Sequence, residues 1–356
     1  MSNNYFIKFV LIISFMIILI IGGINFIVDP FLQYRTPLLY KVYYNSGRER
    51  HLNAGIARNY IYDTVITGSS MTENFHIAQI NNILNADSMK FCMQSASAHE
   101  LNWILNKIFM SKKNHEVKRV IYGVDFYAYS GDVKRFHYGE ANFPKHLYDE
   151  NYFNDAKYLV SLDTLKNSIS AFVLDRSKPK DDPLFDKNMA YDWMHNEKHK
   201  FGAKNTLKDF KEKKAEAGFK LENYRFYKFK ESFDANTLPL LKENPNVEFI
   251  FFYPPYSILG YKFIEKQGWF NEAIEFKRYV YNSTKNLKNL KIYDFQHDKN
   301  ITHNLNLYKD VNHYNDKTND YMIELIAKDS HRVDDKNINL GLEELENQVK
   351  NYSLTP

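Results

Sequence analysis

Residues 64–75 read Thr64-Val65-Ile66-Thr67-Gly68-Ser69-Ser70-Met71-Thr72-Glu73-Asn74-Phe75, and this stretch decides how the chain is built. Val65 and Ile66 end a short β-branched run suited to a buried strand. Gly68-Ser69-Ser70 then turns sharply. From Thr72 onward the spacing of Ile77, Ile80 and Leu84 predicts a helix. A serine where a strand turns into a helix is well sited for nucleophilic chemistry. The first N–H groups of a helix lack partners and carry the positive end of its dipole, so an alkoxide or the oxyanion it generates is stabilised there. Gly68 turns the backbone without a Cβ in the way. Ser69, Ser70 and Thr72 would equally serve as plain helix caps.

A serine nucleophile needs a base, and the base needs a carboxylate to orient it. Asp310-Val311-Asn312-His313 supplies both from one loop far downstream, at a spacing that lets the carboxylate reach the imidazole and fix its tautomer. A strand-turn-helix serine early and D-x-x-H late resembles the SGNH (GDSL-like) hydrolase superfamily. Its first motif is G-D-S, so Ser70 falls on the nucleophile and Ser69 replaces the aspartate. The G-S-S form also looks like the membrane-anchored D-alanyl transfer proteins of teichoic-acid loading and the alginate O-acetylation proteins.

The resemblance covers residues 60–330 in outline. It implies a flavodoxin-like, doubly wound sheet with Ser70, Asp125 and His313 at its C-terminal edge. It further implies acyl transfer, with the N–H of Ser70 or Met71 on the oxyanion and with no cofactor or metal. Two positions depart from the family's pattern. The second motif's glycine is missing, and the small segment from Ser95 to Ser97 stands there. The third motif, G-x-N-D, has Gly123 matched but Asp125 in place of the asparagine donor. An ionised carboxylate accepts and does not donate, so Asp125 is either protonated or orders the loop while another group donates.

Outside these motifs, residues 9–28 form an uncharged, apolar run of twenty, enough for one membrane-spanning helix. No small-residue cleavage pattern follows, so an uncleaved anchor is expected. Residues 1–8, with Lys8, are expected inside the cytoplasmic membrane and the domain outside, although Arg35, Lys41, Arg48 and Arg50 vote against that orientation. Residues 29–59 read as a juxtamembrane connector whose Arg48-Glu49-Arg50-His51 knot could neutralise phosphate or polysaccharide carboxylate but is expected to form a solvated face. The net charge of +4 is too slight to argue for nucleic acid. The single cysteine, Cys92, excludes an intrachain disulfide and reads as a small core hydrophobe.

Further strands are expected at residues 89–93, 120–124, 247–252 and 290–295, with single helices over 158–173 and 263–281. Tyr256 leaves the fourth strand's C-terminal end, where ligands bind in open α/β sheets. Residues 127–245 form an insertion over the site. Within it His195 and His199 are four apart, but no third ligand accompanies them. Residues 331–356 form a tail helix. Three readings result. One is a serine acyltransferase or esterase of envelope polysaccharide, drawing on a glycan or lipid-linked acyl donor. The second is a non-catalytic carbohydrate-binding or assembly protein with the same fold. The third is a structural partner of a membrane O-acyltransferase.

Overall fold

Strands β1 (Thr64–Thr67), β2 (Ser88–Lys90), β3 (Arg119–Gly123), β4 (Glu248–Tyr253) and β5 (Leu290–Asp294) pair side by side in the order 2-1-3-4-5, every pair parallel. This is the arrangement of the computed structural model, which describes residues 3–111, 116–194, 198–215 and 218–354. Parallel strands need covered faces, and β4 shows why the sequence supplies them. Phe249, Ile250, Phe251 and Phe252 run consecutively and are each at most 4% exposed. Each such side chain contributes roughly 1.5–3 kcal/mol by leaving water.

Helix α1 (Asn3–Val28) comes first, followed by α2 (Glu49–Asn59), α3 (Ile77–Leu84) after β1, and α4 (Ala98–Met110) after β2. Within α1, the 25 residues from Asn4 to Val28 include an 18-residue window of mean hydropathy 2.8 that is almost wholly exposed, so the helix is long and apolar enough to cross a membrane. Helix α4 begins with a capping box in which Ser97 and Glu100 satisfy each other's backbone N–H.

Several expectations from sequence are corrected. The expected helix from Thr72 is a single 3-10 turn, Ser70–Thr72, and the α-helix starts only at Ile77. The Thr72 N–H and hydroxyl both return to the Ser69 carbonyl, at 3.0 and 2.7 Å, which closes the turn early. The helix expected over 263–281 is two, Ile258–Gln267 and Phe270–Thr284, because Gly268 takes a left-handed φ of 86° and stops the first. The helix over 158–173 breaks at Ser161, whose hydroxyl caps Leu162–Ser177.

The connector is packed down where it leaves α1. Asp29 accepts from the N–H groups of Gln33, Tyr34 and Arg35, and Asn59 donates to the Leu32 carbonyl. A Cβ on Gly55 would lie 2.1 Å from the Phe31 carbonyl, so only glycine lets α2 lie that close. Glu49 and Arg50 are buried rather than solvated, Arg50 paired with Glu100 at 2.8 Å. The tail helix Ile338–Asn351 buries Leu342, Leu345 and Val349 against the two helices that follow β4.

Candidate active site

The Gly68-Ser69-Ser70 turn is built by dividing partners between two serines. After β1, Gly68 adopts φ 149°, and a Cβ there would lie 2.8 Å from Thr72 Cγ2. Gly123 at the end of β3 faces the same methyl, where a Cβ would sit at 2.7 Å. Ser69 is buried and its hydroxyl donates to Asp125 Oδ2 at 2.6 Å. Ser70, half-buried, directs its hydroxyl instead to His313 Nε2 at 2.9 Å.

His313 Nδ1 lies 2.9 Å from Asp310 Oδ2 and 3.1 Å from Oδ1. An ionised carboxylate can only accept, so the imidazole proton sits on Nδ1 and Nε2 offers its lone pair to the Ser70 hydroxyl. Asp310 Oδ1 also accepts the N–H groups of Asn312 and His313, both at 2.8 Å. Burial alone would raise the Asp310 pKa. The His313 imidazole and these N–H groups outweigh it and hold the carboxyl well below the usual carboxylate range. The loop is fixed from both sides. Tyr308 and Tyr314 bridge across it, Tyr314 donates to the Met71 carbonyl at 3.0 Å, and Ser257 donates to the Val311 carbonyl at 2.7 Å. The His313 loop is thus tied directly to the Ser70 turn.

Asp125 ties three neighbours together at this turn. Its carboxylate accepts from Ser69, from the Tyr256 hydroxyl at 2.5 Å and from the Tyr127 N–H at 3.1 Å. Burial, and then the Asp125 charge, push the Tyr256 phenol pKa well up, so Tyr256 remains a donor. Tyr256 is buried and anchors the turn while bordering the pocket.

The pocket at Ser70 holds about 220 Å³ and is lined by Met71, Ser95, Asp125 and His313 among others, with Arg135, His137, Lys213 and Lys214 on its wall. The Met71 N–H is partly engaged by Ser69 Oγ at 3.4 Å. The N–H groups of Ser70 and Ser95 have no acceptor among the described residues. Ser95 takes a left-handed φ of 52°, the conformation for which a glycine is ordinarily chosen, at the place where the sequence lacks one. Ser97, by contrast, spends its hydroxyl on the α4 cap and the Arg135 carbonyl.

Trp193, from the insertion, went unrecognised in the sequence. Its indole N–H donates to the Ser70 carbonyl at 3.0 Å, its own N–H donates to Asn74 Oδ1, and its ring stands at 90° to His313 with centroids 5.7 Å apart. Lys309 Nζ lies 3.8 Å from the centre of that ring. The only available signal was a short apolar cluster, Ala190-Tyr191, next to it in a lysine-rich stretch. His195 lies outside the described residues, and His199 packs against Trp193. Among the described residues no group of three or more His, Cys, Asp or Glu is arranged to hold a metal. Cys92 is buried, which pushes its thiol up to about 12. No protein-family model matches the chain, and no curated protein matches it closely enough to count as a relative.

Proposed function

We propose that this chain is a membrane-anchored serine acyltransferase or esterase of the SGNH (GDSL-like), flavodoxin-like type, acting on ester-linked acyl groups of cell-envelope polysaccharide with its domain facing outward. The observation that carries the reading is the continuous relay from Ser70 Oγ through His313 to Asp310, drawn from the segments that follow the first and last strands of one parallel sheet. His313 Nε2 takes the Ser70 proton as Oγ attacks the acyl carbonyl, and the Asp310 charge steadies the imidazolium. The tetrahedral oxyanion is held by the Ser70 and Ser95 N–H groups. Collapse breaks the ester bond, the leaving alkoxide takes the proton from His313, and the acyl group remains on Ser70. A sugar hydroxyl or water, deprotonated by His313, then attacks this ester and frees the serine.

The test is covalent labelling with a fluorophosphonate. Wild type is expected to label at Ser70, and Ser70→Ala and His313→Ala to abolish labelling. Ser69→Ala is expected to weaken it less, because Ser69 holds Asp125 and not the reacting atom. Abolition by Ser69→Ala alone would assign the nucleophile to the wrong serine. A wild type that never labels would favour the non-catalytic carbohydrate-binding reading, which draws support from Tyr127, Tyr224, Phe219 and Phe263 around the pocket.

A further inference from the structure

Asn25 is the one polar side chain well inside the last turns of the apolar helix, and its amide is completely used. Its Nδ2 donates to the carbonyls of Leu159 and Ser161, at 2.7 and 3.1 Å, while its Oδ1 accepts from the Ser168 hydroxyl at 3.0 Å. Leu159 ends the short helix Ala156–Leu159, Ser161 caps the longer Leu162–Ser177, and Ser168 lies within it; both helices pack against α1. Asn25 is three residues from the end of α1, about 5 Å along its axis. Ile24, Phe26 and Ile27 around it stay exposed, as lipid-facing residues of a span would be.

This helix pair is therefore held at the depth where the apolar run ends, and its outer surface is unusually apolar. On the longer helix Leu162 is 62% exposed, Ile169 57% and Val173 55%, and Phe153, in the turn just before the pair, is 96% exposed. Leu162, Lys166, Ile169, Val173 and Arg176 recur every three or four residues, so they form one stripe along Leu162–Ser177. Lys166 and Arg176 in the same stripe fit a bilayer interface too, since long basic side chains lay their apolar stems along the acyl boundary and keep their charge among the headgroups. In water the same stripe would be an uncompensated apolar surface.

We propose that the Leu162–Ser177 helix lies on the outer face of the bilayer that α1 crosses, inserting Phe153, Leu162, Ile169 and Val173 between lipid headgroups. The domain then rests on the membrane at a fixed height and orientation. The proposal depends on α1 spanning the bilayer and is independent of the chemistry at Ser70.

The full chain, reconstituted into phosphatidylcholine–phosphatidylglycerol vesicles, tests this with an environment-sensitive fluorophore on single introduced cysteines, the native Cys92 being buried. Ile169→Cys is expected to emit as in an apolar medium and to be quenched by lipids spin-labelled near the headgroup. Leu340→Cys, equally exposed but on the tail helix, is expected to emit as in water and stay unquenched. Ile13→Cys reports α1 itself and is expected to be quenched by deeper spin labels. Adding Ile169→Asp and Val173→Asp together is expected to abolish quenching at Leu162→Cys while Ile13→Cys stays quenched. Quenching at Ile13 with none at Ile169 would overturn the proposal and leave the stripe to a protein partner. No quenching at Ile13 would overturn the spanning helix, and the proposal with it.

Discussion

Ser70 and His313 are held in place by their neighbours, and Trp193 shows this most directly. One indole bonds the carbonyl of the nucleophile while its ring flanks the base, so both partners of the proton transfer are located by the same side chain. Burial lowers the pKa of Lys309 over this ring, with the Asp310 carboxylate opposing. Trp193→Phe keeps the ring and deletes the N–H. A single hydrogen bond is worth about 0.5–1.5 kcal/mol net, so the rate at which the fluorophosphonate phosphonylates Ser70 is expected to fall roughly 2- to 10-fold. Trp193→Ala is expected to lose more, since the flank of His313 opens to water. Single-turnover labelling, with the unfolding temperature measured alongside, checks this; a Phe variant labelling at the wild-type rate would remove Trp193 from the positioning shell. The triad itself was legible because its signals are local, a Gly-Ser-Ser at a strand's end and a D-x-x-H within one loop. Trp193 acts across 123 positions of sequence, and no periodicity carries information over that distance.

At the scale of elements, strands were more legible than helices. A run such as residues 249–252 names itself a covered parallel strand, whereas helix ends depend on single residues. Gly268 ended one helix and Ser161 divided another, and both were readable as a C-cap glycine and an N-cap serine in retrospect. The elements behind the nucleophile also meet through buried ionisable groups that no pattern announces. Glu49 of α2, Glu73 after the 3-10 turn, Lys90 of β2 and Asp192 of the insertion are all nearly inaccessible. Burial, and then the Glu49 carboxylate, push Glu73 well above the ordinary glutamate value of 4.5. The folded chain therefore keeps a proton that the unfolded chain releases. The stability this gives is complete below about pH 4.5 and is lost as pH rises toward the folded pKa. Burial lowers the Lys90 pKa, so that group acts in the opposite sense. The comparison of two variants thus reads Glu73 where one slope would not. Glu73→Gln is expected to raise the unfolding temperature relative to wild type by more at about pH 8 than at about pH 5. Equal differences at both values would mean Glu73 is ionised in the folded state.

The whole molecule couples a spanning-length helix to its domain without slack, and this bears on what the site can reach. Residues 29–33 are packed under α2, Asp29 caps its own turn, and Asn25 is bonded to the insertion, so the chain has no flexible tether between anchor and sheet. A rigidly held site gains effective concentration toward a substrate presented at its own height and little toward one that diffuses freely. The insertion also places Trp193 on the Ser70 carbonyl and Phe219 on the pocket wall, and under the proposed chemistry these side chains would limit water around an acyl-serine. Both features favour an acceptor hydroxyl on a membrane-proximal glycan over hydrolysis of small soluble esters. Fold alone does not choose between these outcomes, so the polymer must be measured. Removing the gene and assaying ester-linked acyl groups on purified envelope polysaccharide is expected to show their loss, reversed by wild type and not by Ser70→Ala. An increase would identify a deacylase using the same relay, and an unchanged acyl content in every envelope polymer would refute the polysaccharide assignment while leaving the labelling of Ser70 to stand or fall by itself.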